Sequence, residues 1–275
     1  MKIDAHQHFW KFDPVRDAWI DDSMEVIRRD FMPEDLEPVL KKTGFDGCIS
    51  VQADQSEEET YFLLNLAEKH DFIKGVVGWV DLKAPNLNQR LEHFSQYDKL
   101  KGFRHILQGQ PTGTMLDDSF IAGIETLQQT RFRYDILIFE NQLHETVKFV
   151  ERVPEMNFVI DHIAKPTIKE SSFDDWAAHM KKLAGFPHVH VKLSGMVTEA
   201  DWNHWKKNEF TPYLETCLEL FGADRLMIGS DWPVCLLAGE YDEVIGIVED
   251  FLDGLSAAEY DNIMGISAAK FYQLM

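Results

Sequence analysis

The sequence alternates apolar segments of strand length with stretches of helical periodicity along its whole length. Eight segments have the length and apolar content of strands, namely residues 2–6, 46–52, 74–81, 100–106, 132–137, 157–162, 189–194 and 225–231. The helical stretches are residues 33–42, 57–70, 86–97, 118–129, 140–150, 173–183, 210–220, 240–252 and 257–273. Strands that alternate with helices predict a parallel sheet.

The number of strands favours one arrangement of that sheet. Eight strand–helix units fit a closed barrel better than an open doubly wound sheet, and the sequence has no Gly-x-Gly-x-x-Gly turn to support the open sheet. Barrels of about 250 residues commonly form one domain. We therefore predict an α/β fold, a single (β/α)8 TIM barrel over residues 1–275, with local distortion of the ideal barrel allowed.

Polar and aromatic side chains are concentrated where the predicted strands end. In chain order these are His6 and His8, Gln52, Trp79 and Asp81, Arg104 and His105, Tyr134 and Asp135, Asp161 and His162, Lys192 and Ser194, and Ser230, Asp231 and Trp232. Barrel enzymes build their active sites at the carboxyl ends of the strands. The pattern therefore predicts one functional site to which several strands contribute.

The first strand carries two histidines one strand repeat apart. Regular alternation sends Asp4, His6 and His8 to one face. Two imidazoles at this spacing suit two nitrogen ligands of one divalent ion, or a pair of hydrogen-bonding groups at the mouth of a site. Surface composition also accounts for an amino-terminal His-x-His, so the first strand alone leaves these interpretations open.

Alternation leaves the orientation of two other pairs ambiguous. Arg104 and His105 are neighbours, so both can face the interior only if the strand breaks there. The same holds for Asp161 and His162. In the segment 189–194 the polar residues alternate with apolar ones, and we expect the polar set to line the barrel interior.

Asp231 follows an apolar segment whose side chains are expected to be buried in the core. A buried carboxylate without a partner is costly, so this position requires an explanation. A helix N-cap or a structural ion pair would be one. We favour a role as general base toward water, as metal ligand, or as both.

Charge and cysteine content exclude several classes of protein. Asp and Glu number 47 against 27 Lys and Arg, and the net charge of −20 opposes binding to nucleic acid and to anionic membrane surfaces. The cysteines, Cys48, Cys217 and Cys235, form no Cys-x-x-Cys pair, which argues against a disulfide framework or a cysteine-rich zinc site. No apolar run of signal-peptide or membrane-spanning length is present, so we expect a cytoplasmic protein.

Six short motifs follow one another between residue 2 and roughly residue 235. They are Asp-Ala-His6-Gln-His8, Lys-Gly-Phe-Arg104-His105, Tyr134-Asp135, Asp-His162-Ile-Ala-Lys165-Pro, Lys192-Leu-Ser194-Gly and Gly-Ser-Asp231-Trp-Pro. This ordered set resembles the amidohydrolase superfamily. More narrowly, it is similar to the branch of sugar-lactone hydrolases that includes L-fuconolactonase and L-rhamnonolactonase types and is related to pyrone-dicarboxylate lactonases.

The resemblance implies a set of metal ligands. His6, His8, His162 and Asp231 match the superfamily positions that would hold one zinc ion. Many members have a metal-binding histidine on the fifth strand, where this chain has Tyr134 and Asp135, so a two-metal centre is not expected. Some relatives in this branch work without metal, and catalysis without metal therefore stays open beside the zinc site.

The resemblance also implies a reaction and roles for the strand-end residues. The reaction is hydrolysis of a sugar (aldono-)lactone, of the L-fucono or L-rhamnono type, with Asp231 removing a proton from water. Arg104, His105 or a bound metal would stabilise the oxyanion. Position at the strand ends, and not the resemblance, suggests which residues bind the sugar hydroxyls: Gln52, Trp79, Tyr134, Asp135 and Lys192, with Trp10 and Trp232 as walls of the site.

Two alternatives come from other classes of function. The first is a metal-dependent decarboxylase, for which Arg104 would be the partner of a substrate carboxylate. The second is a catalytically silent barrel that binds sugars. In the leading interpretation the partner is a small-molecule sugar lactone, and the sequence leaves assembly into a homo-oligomer open.

Overall fold

The structure, a computed structural model, describes residues 1–170 and 173–274 and contains eight strands. They are β1 (Ile3–Gln7), β2 (Gly47–Val51), β3 (Ile73–Gly78), β4 (Leu100–Ile106), β5 (Arg133–Leu137), β6 (Phe158–Ile160), β7 (Val189–Leu193) and β8 (Leu226–Ile228). Each overlaps one of the predicted segments. Several strands end earlier than predicted, so many of the expected site residues lie in the first positions after a strand.

Helices follow the strands and continue after the last one. They are α1 (Pro33–Thr43), α2 (Glu57–Lys69), α3 (Leu87–Phe94), α4 (Asp118–Leu127), α5 (Leu143–Arg152), α6 (Asp174–Ala184), α7 (Lys207–Phe221), α8 (Tyr241–Leu252), α9 (Ala257–Asp261) and α10 (Ser267–Phe271). A π-helical turn, Asn262–Ile266, divides the predicted helix 257–273 into α9 and α10. Among the described residues, no helix combines the length and the apolar character that crossing a membrane requires.

Local sequence signals account for where the first helices begin and end. Pro33 occupies the first turn of α1, where its missing N–H costs nothing. Gly44 ends α1 in the left-handed conformation, at φ 76°. Ser56 caps α2, and its side chain accepts a hydrogen bond from the backbone N–H of Glu59.

The strands form one parallel sheet in sequence order that closes on itself. Each of the eight strands pairs with the next one along the chain, from β1 to β8. The closing edge joins β1 to the segment after β8, where the His8 N–H donates to the Trp232 carbonyl at 2.7 Å and the Asp231 N–H donates to the His6 carbonyl at 2.8 Å. The predicted (β/α)8 barrel is therefore confirmed.

Two apolar cores lie on the two sides of this sheet. The larger one fills the space between the strands and the helices, and contains Phe103 and Phe149. The smaller one fills the amino-terminal end of the barrel interior, where Phe271 and Tyr272 from the end of α10 pack against strand residues such as Ile49. Since the interior is apolar at that end, its polar groups are concentrated toward the carboxyl ends of the strands.

Candidate active site

A register shift in β1 separates residues that regular alternation places on one face. The shift lies between Asp4 and Gln7. Asp4 lies on the helix side, where its carboxylate accepts hydrogen bonds from the Ser230 hydroxyl at 2.6 Å and the Tyr241 hydroxyl of α8 at 3.1 Å. The sequence prediction for Asp4 is thus wrong, because the irregular strand separates Asp4 from His6 and His8, which face the interior.

The two histidines of the first motif meet Asp231 at the carboxyl end of the barrel. The Nε2 atoms of His6 and His8 are 3.2 Å apart. Oδ1 of Asp231 lies 3.4 Å from His8 Nε2, 3.9 Å from His6 Nε2 and 3.8 Å from His162 Nε2. The structure therefore brings together all four residues that the sequence predicts as metal ligands, with Asp231 as their common neighbour.

A left-handed turn after β6 brings His162 into this cluster. The strand ends at Ile160, and the four residues from His162 to Lys165 have φ values of 54°, 48°, 63° and 48°. Such angles are uncommon for residues other than glycine and are held only where the surroundings enforce them. Because the extended strand has ended, Asp161 and His162 both face the interior, which meets the condition that the sequence sets for this pair.

The end of β7 supports the His162 ring. The Ser194 hydroxyl lies 2.9 Å from His162 Nδ1. Gly195 follows with φ +61°, and a Cβ atom there would lie 2.5 Å from the same ring nitrogen. Only glycine satisfies both the backbone angle and the close approach of the ring.

Hydrogen bonds on the far side of each ring determine which nitrogen faces the cluster. His8 Nδ1 lies 2.7 Å from the Val51 carbonyl, which can only accept, so Nδ1 carries the proton and Nε2 has a lone pair. His6 Nδ1 lies 3.3 Å from Asp161 Oδ1, which favours the same tautomer. Two lone pairs and the Asp231 carboxylate therefore lie close together, an arrangement that a nearby positive charge stabilises.

The spacing of these donors fits one zinc ion. Zinc bonds of 2.0–2.1 Å in a tetrahedron place ligand atoms about 3.3 Å apart. The distances His6–His8 and His8–Asp231, 3.2 Å and 3.4 Å, agree with this value. His6, His8 and Asp231 form one group of candidate ligands, and His6, Asp161 and His162 form a second group that shares His6. The shared histidine is consistent with a single metal position.

The cluster combines one ionised carboxylate with two neutral rings. Burial lowers the pKa of both His6 and His162 well below the usual value. For Asp231 burial alone would raise the pKa, but the neighbouring side chains of His162, His8 and Lys165 outweigh it and hold the pKa below its usual value. The Asp231 carboxylate is therefore charged at neutral pH.

Arg104 is the residue of the Arg104–His105 pair that faces the interior. Its Nη1 lies 3.2 Å from His6 Nε2 and 3.1 Å from Asp161 Oδ2. Its Nη2 donates to the backbone carbonyl of Gln52 and lies 3.3 Å from the Gln52 Oε1 atom. Gln52, predicted to bind the substrate, follows β2 and positions this guanidinium across the intervening strand β3.

Asp135 and Lys192 lie beneath the cluster and not in the cavity. Lys192 Nζ is 2.5 Å from Asp135 Oδ2 and 3.0 Å from Asp161 Oδ1, and the Tyr272 hydroxyl donates to Asp135 at 2.8 Å. Neither Asp135 nor Lys192 has any exposed surface. Their position therefore does not fit the prediction that they contact the substrate. The prediction that the polar residues of segment 189–194 line the interior is confirmed, because Lys192 and Ser194 contact histidines of the cluster and the His190 ring lies 4.7 Å from that of Phe271 in the interior core.

A cavity of about 360 Å³ lies above the cluster, within the size range of small-molecule sites. It is lined by His8, Trp10, Trp19, Ala53, Arg104, Ile106, Gln108, Leu137, His162, Lys165, Asp231 and Val234. Trp19 is 46% exposed, and its ring meets that of Trp10 edge to face, with centroids 6.2 Å apart. The sequence predicts Trp10 as a wall of the site, but Trp19 and Gln108 lie in loops and have no such signal, and Lys165 occurs in it only as part of a motif.

Several predicted site residues lie outside this cavity. The rings of His105 and Trp79 are 5.5 Å apart and line a second cavity of about 220 Å³, on the helix side of β4, together with Phe120. Tyr134 packs against Phe120 and has no exposed surface. Trp232 is buried behind the cluster. Because Arg104 faces inward, alternation along β4 turns Phe103 and His105 toward the helices. Tyr134 pairs with Phe103 in the adjacent strand and faces the same way.

Comparison with known proteins places the chain among proteins of one family. A family model described as Amidohydrolase matches residues 3–274. An L-fucono-1,5-lactonase from Burkholderia multivorans is 42% identical over 286 residues, covering 100% of this chain and 96% of that protein. An L-fucono-1,5-lactonase from Burkholderia ambifaria is 37% identical over 243 residues, covering 88% and 83%.

A solved structure agrees with the fold over its whole length. The crystal structure of an amidohydrolase from Burkholderia multivorans with bound Zn has a TM-score of 0.96 and 41% sequence identity, and 100% of both chains is covered. The match to the family model extends over almost the whole chain, and the similarity to the Burkholderia proteins exceeds what shared fold alone produces. The chain therefore belongs to the amidohydrolase family.

Proposed function

We propose that this chain is a lactone hydrolase that opens a sugar 1,5-lactone to the sugar acid, with L-fucono-1,5-lactone as the first candidate substrate. The observation that carries the proposal is the ionised Asp231 carboxylate among three imidazoles at the floor of a cavity of small-molecule size. The names of the two Burkholderia relatives, 42% and 37% identical, support the substrate class.

In the proposed reaction Asp231 acts as general base. It accepts a proton from a water molecule while the water oxygen forms a bond to the lactone carbonyl carbon. The bond between that carbon and the ring oxygen then breaks, and the proton passes to the departing ring oxygen. One water molecule is consumed, and the product is the open-chain sugar acid. The low pKa of Asp231 keeps the base ionised at neutral pH.

Cationic side chains of the same cavity support the negative charge that develops on the carbonyl oxygen. Arg104 and Lys165 both line the cavity that contains Asp231. Fixed positive groups in a site with little water stabilise such charge more strongly than they would in bulk solvent. Lys165 is held by Glu199 at 2.8 Å, and Arg104 by Gln52 and Asp161. Both are therefore positioned before the substrate arrives.

His6, His8 and Asp231, with His162 beside them, are the residues that would hold one zinc ion. When bound, such an ion polarises the carbonyl group and lowers the pKa of a bound water to about 7. The convergence of lone pairs on one point and the zinc in the crystal structure of the Burkholderia multivorans amidohydrolase support this assignment. Acid release measured before and after chelation decides whether the reaction requires metal.

The test is acid release from a panel of aldonolactones. L-Fucono-1,5-lactone, its D-enantiomer and L-rhamnono-lactones are mixed with purified protein before and after chelation, and bound zinc is counted in parallel. We expect fast hydrolysis of the L-fucono compound above the spontaneous rate. Absence of acid release from every lactone, with and without added zinc, contradicts the proposal. Sugar binding without turnover would favour the silent barrel, and release of CO2 from a carboxylate substrate would favour a decarboxylase.

We also propose the cytoplasm as the location of this protein. Cys48, Cys217 and Cys235 are all buried and free, and unpaired thiols are usual in a reducing compartment. Fractionation of cells that produce the protein tests this, and enrichment outside the cytoplasmic fraction contradicts it.

A further inference from the structure

His6 offers a single lone pair to the cluster, and Arg104 already uses it. Arg104 Nη1 lies 3.2 Å from His6 Nε2 with its N–H directed at the ring nitrogen. On the other side of the ring, Lys192 Nζ lies 3.2 Å from Nδ1 but has carboxylate partners in Asp135 and Asp161. Nδ1 therefore keeps its proton toward Asp161, and Nε2 is the nitrogen that accepts.

A metal ion would need that same lone pair. A neutral imidazole nitrogen accepts one hydrogen bond or forms one metal bond, but not both at once. A guanidinium is always charged and cannot remove the conflict by losing a proton. Next to the site it also repels a divalent cation, and inside a protein this repulsion is much stronger than in water.

The guanidinium of Arg104 is held where it is. The side chain is only 3% exposed. Nη2 donates to the backbone carbonyl of Gln52 and lies 3.3 Å from Gln52 Oε1, while Nη1 also lies 3.1 Å from Asp161 Oδ2. To leave His6, Arg104 would have to give up hydrogen bonds in a buried place where water cannot replace them.

We propose that Arg104 lowers the zinc affinity of the site formed by His6, His8 and Asp231, because it competes with the metal for His6 Nε2. Arg104 thus acts through His6 and, as a positioning residue, sets how readily the site binds metal. In the metal-free state its N–H fills the place at His6 that the ion would take. The inference rests on the proposed metal ligands and is independent of the identity of the lactone.

The test compares two substitutions of Arg104 by their affinity for zinc alone. Arg104→Met keeps much of the side-chain length and removes the charge and the donors, whereas Arg104→Lys keeps a positive charge. Each protein is stripped by chelation, and its zinc dissociation constant is measured by competition with a chromophoric chelator. We expect Arg104→Met to bind zinc at least about tenfold more tightly than the original protein, and Arg104→Lys to stay within about threefold. Equal or weaker binding by a folded Arg104→Met protein overturns the inference.

A second pair of variants keeps the test decisive. Gln52→Leu removes one acceptor of the guanidinium while the charge remains, and we expect zinc binding about threefold tighter; unchanged or weaker binding by a folded Gln52→Leu protein overturns the inference even if Arg104→Met does not fold. Adding His8→Gln to Arg104→Met should abolish the gain, and a gain that survives means that zinc binds elsewhere and contradicts the inference. No lactone is used, so a failure of the proposed hydrolysis leaves this result unaffected.

Discussion

Two cavities open at the carboxyl end of the barrel, one inside the ring of strands and one outside it. Each is lined by a histidine and a tryptophan: His8 and Trp10 in the inner cavity, and His105 and Trp79 in the outer one. Only the inner cavity also contains Asp231, a buried carboxylate beside several imidazoles. The comparison teaches that a strand-end position does not define a site; the face of the sheet does.

The outer cavity is lined by the charged side chains of Asp81 and Lys83, but its carboxylate is exposed and does not lie among several imidazoles as Asp231 does. Within the described part of the chain, Trp79 Nε1 and His105 Nδ1 are buried without a hydrogen-bond partner. Burial lowers the pKa of His105 to about 4, so its ring is neutral at physiological pH. The His105 ring packs against Phe120, which indicates a structural role, and we expect His105 to contribute little to turnover.

The largest difference between the cavities is expected for their carboxylates. Asp231→Asn removes the general base and should lower kcat by about 10³-fold, within the range usual for such catalysis. Asp81→Asn is the matched control, because Asp81 also follows a strand but lines the outer cavity. Its kcat should stay within twofold, measured as acid release from L-fucono-1,5-lactone. A comparable loss in both variants would remove the distinction between the cavities.

Much of this fold could be predicted from sequence periodicity. All eight strands overlap their predicted segments, and the order of the sheet follows from the alternation of strands and helices. The strand prediction depends only on regular geometry. The grouping of His6, His8, His162 and Asp231 rests on the resemblance to the amidohydrolase superfamily, and the structure does bring these residues together at the converging strand ends.

What the sequence could not give depends on irregular backbone. The register shift in β1 moved Asp4 to the helix side, and the left-handed turn after β6 admitted Asp161 and His162 together. Neither irregularity has a signal in residue alternation. Trp19 was missed because its place at the cavity depends on how a long loop packs, with Trp10 contacting its ring.

The next comparison is between His162, which follows β6, and His105, which lies in β4. His162→Gln should lower kcat/KM by about 10²-fold, because the ring contacts Asp231 and is held by Ser194. His105→Gln, on the outer face, should change it less than twofold. Steady-state kinetics on both variants decides; a large loss for His105→Gln would restore the catalytic role that the sequence suggested for it.

The tryptophans differ in a smaller and more specific way. Trp19 is half-exposed at the mouth of the inner cavity, so we expect it to pack against the sugar ring, and Trp19→Ala should raise KM about fivefold with little change in kcat. Trp79→Ala should leave KM unchanged. An equal rise in KM for both variants, or a rise in KM for Trp79→Ala alone, would contradict the assignment of the inner cavity as the binding site.

The smallest effect concerns stability and belongs to the outer cavity. The ordinary pKa of a histidine, 6.5, falls to about 4 for His105, chiefly through burial, with the charges of Asp81 and Lys83 acting in opposite directions. Between these values the unfolded chain takes up a proton that the folded chain does not, so the stability present above pH 6.5 is lost as the pH falls toward 4. His105→Gln removes this contribution, and the drop in unfolding free energy from pH 7 to pH 5 should be smaller than in the original protein by about 2 kcal/mol. Denaturant unfolding at the two pH values measures it. Because other buried histidines add to the total, only the difference between the two proteins is diagnostic, and identical drops would mean that His105 is already accessible to protons in the folded state.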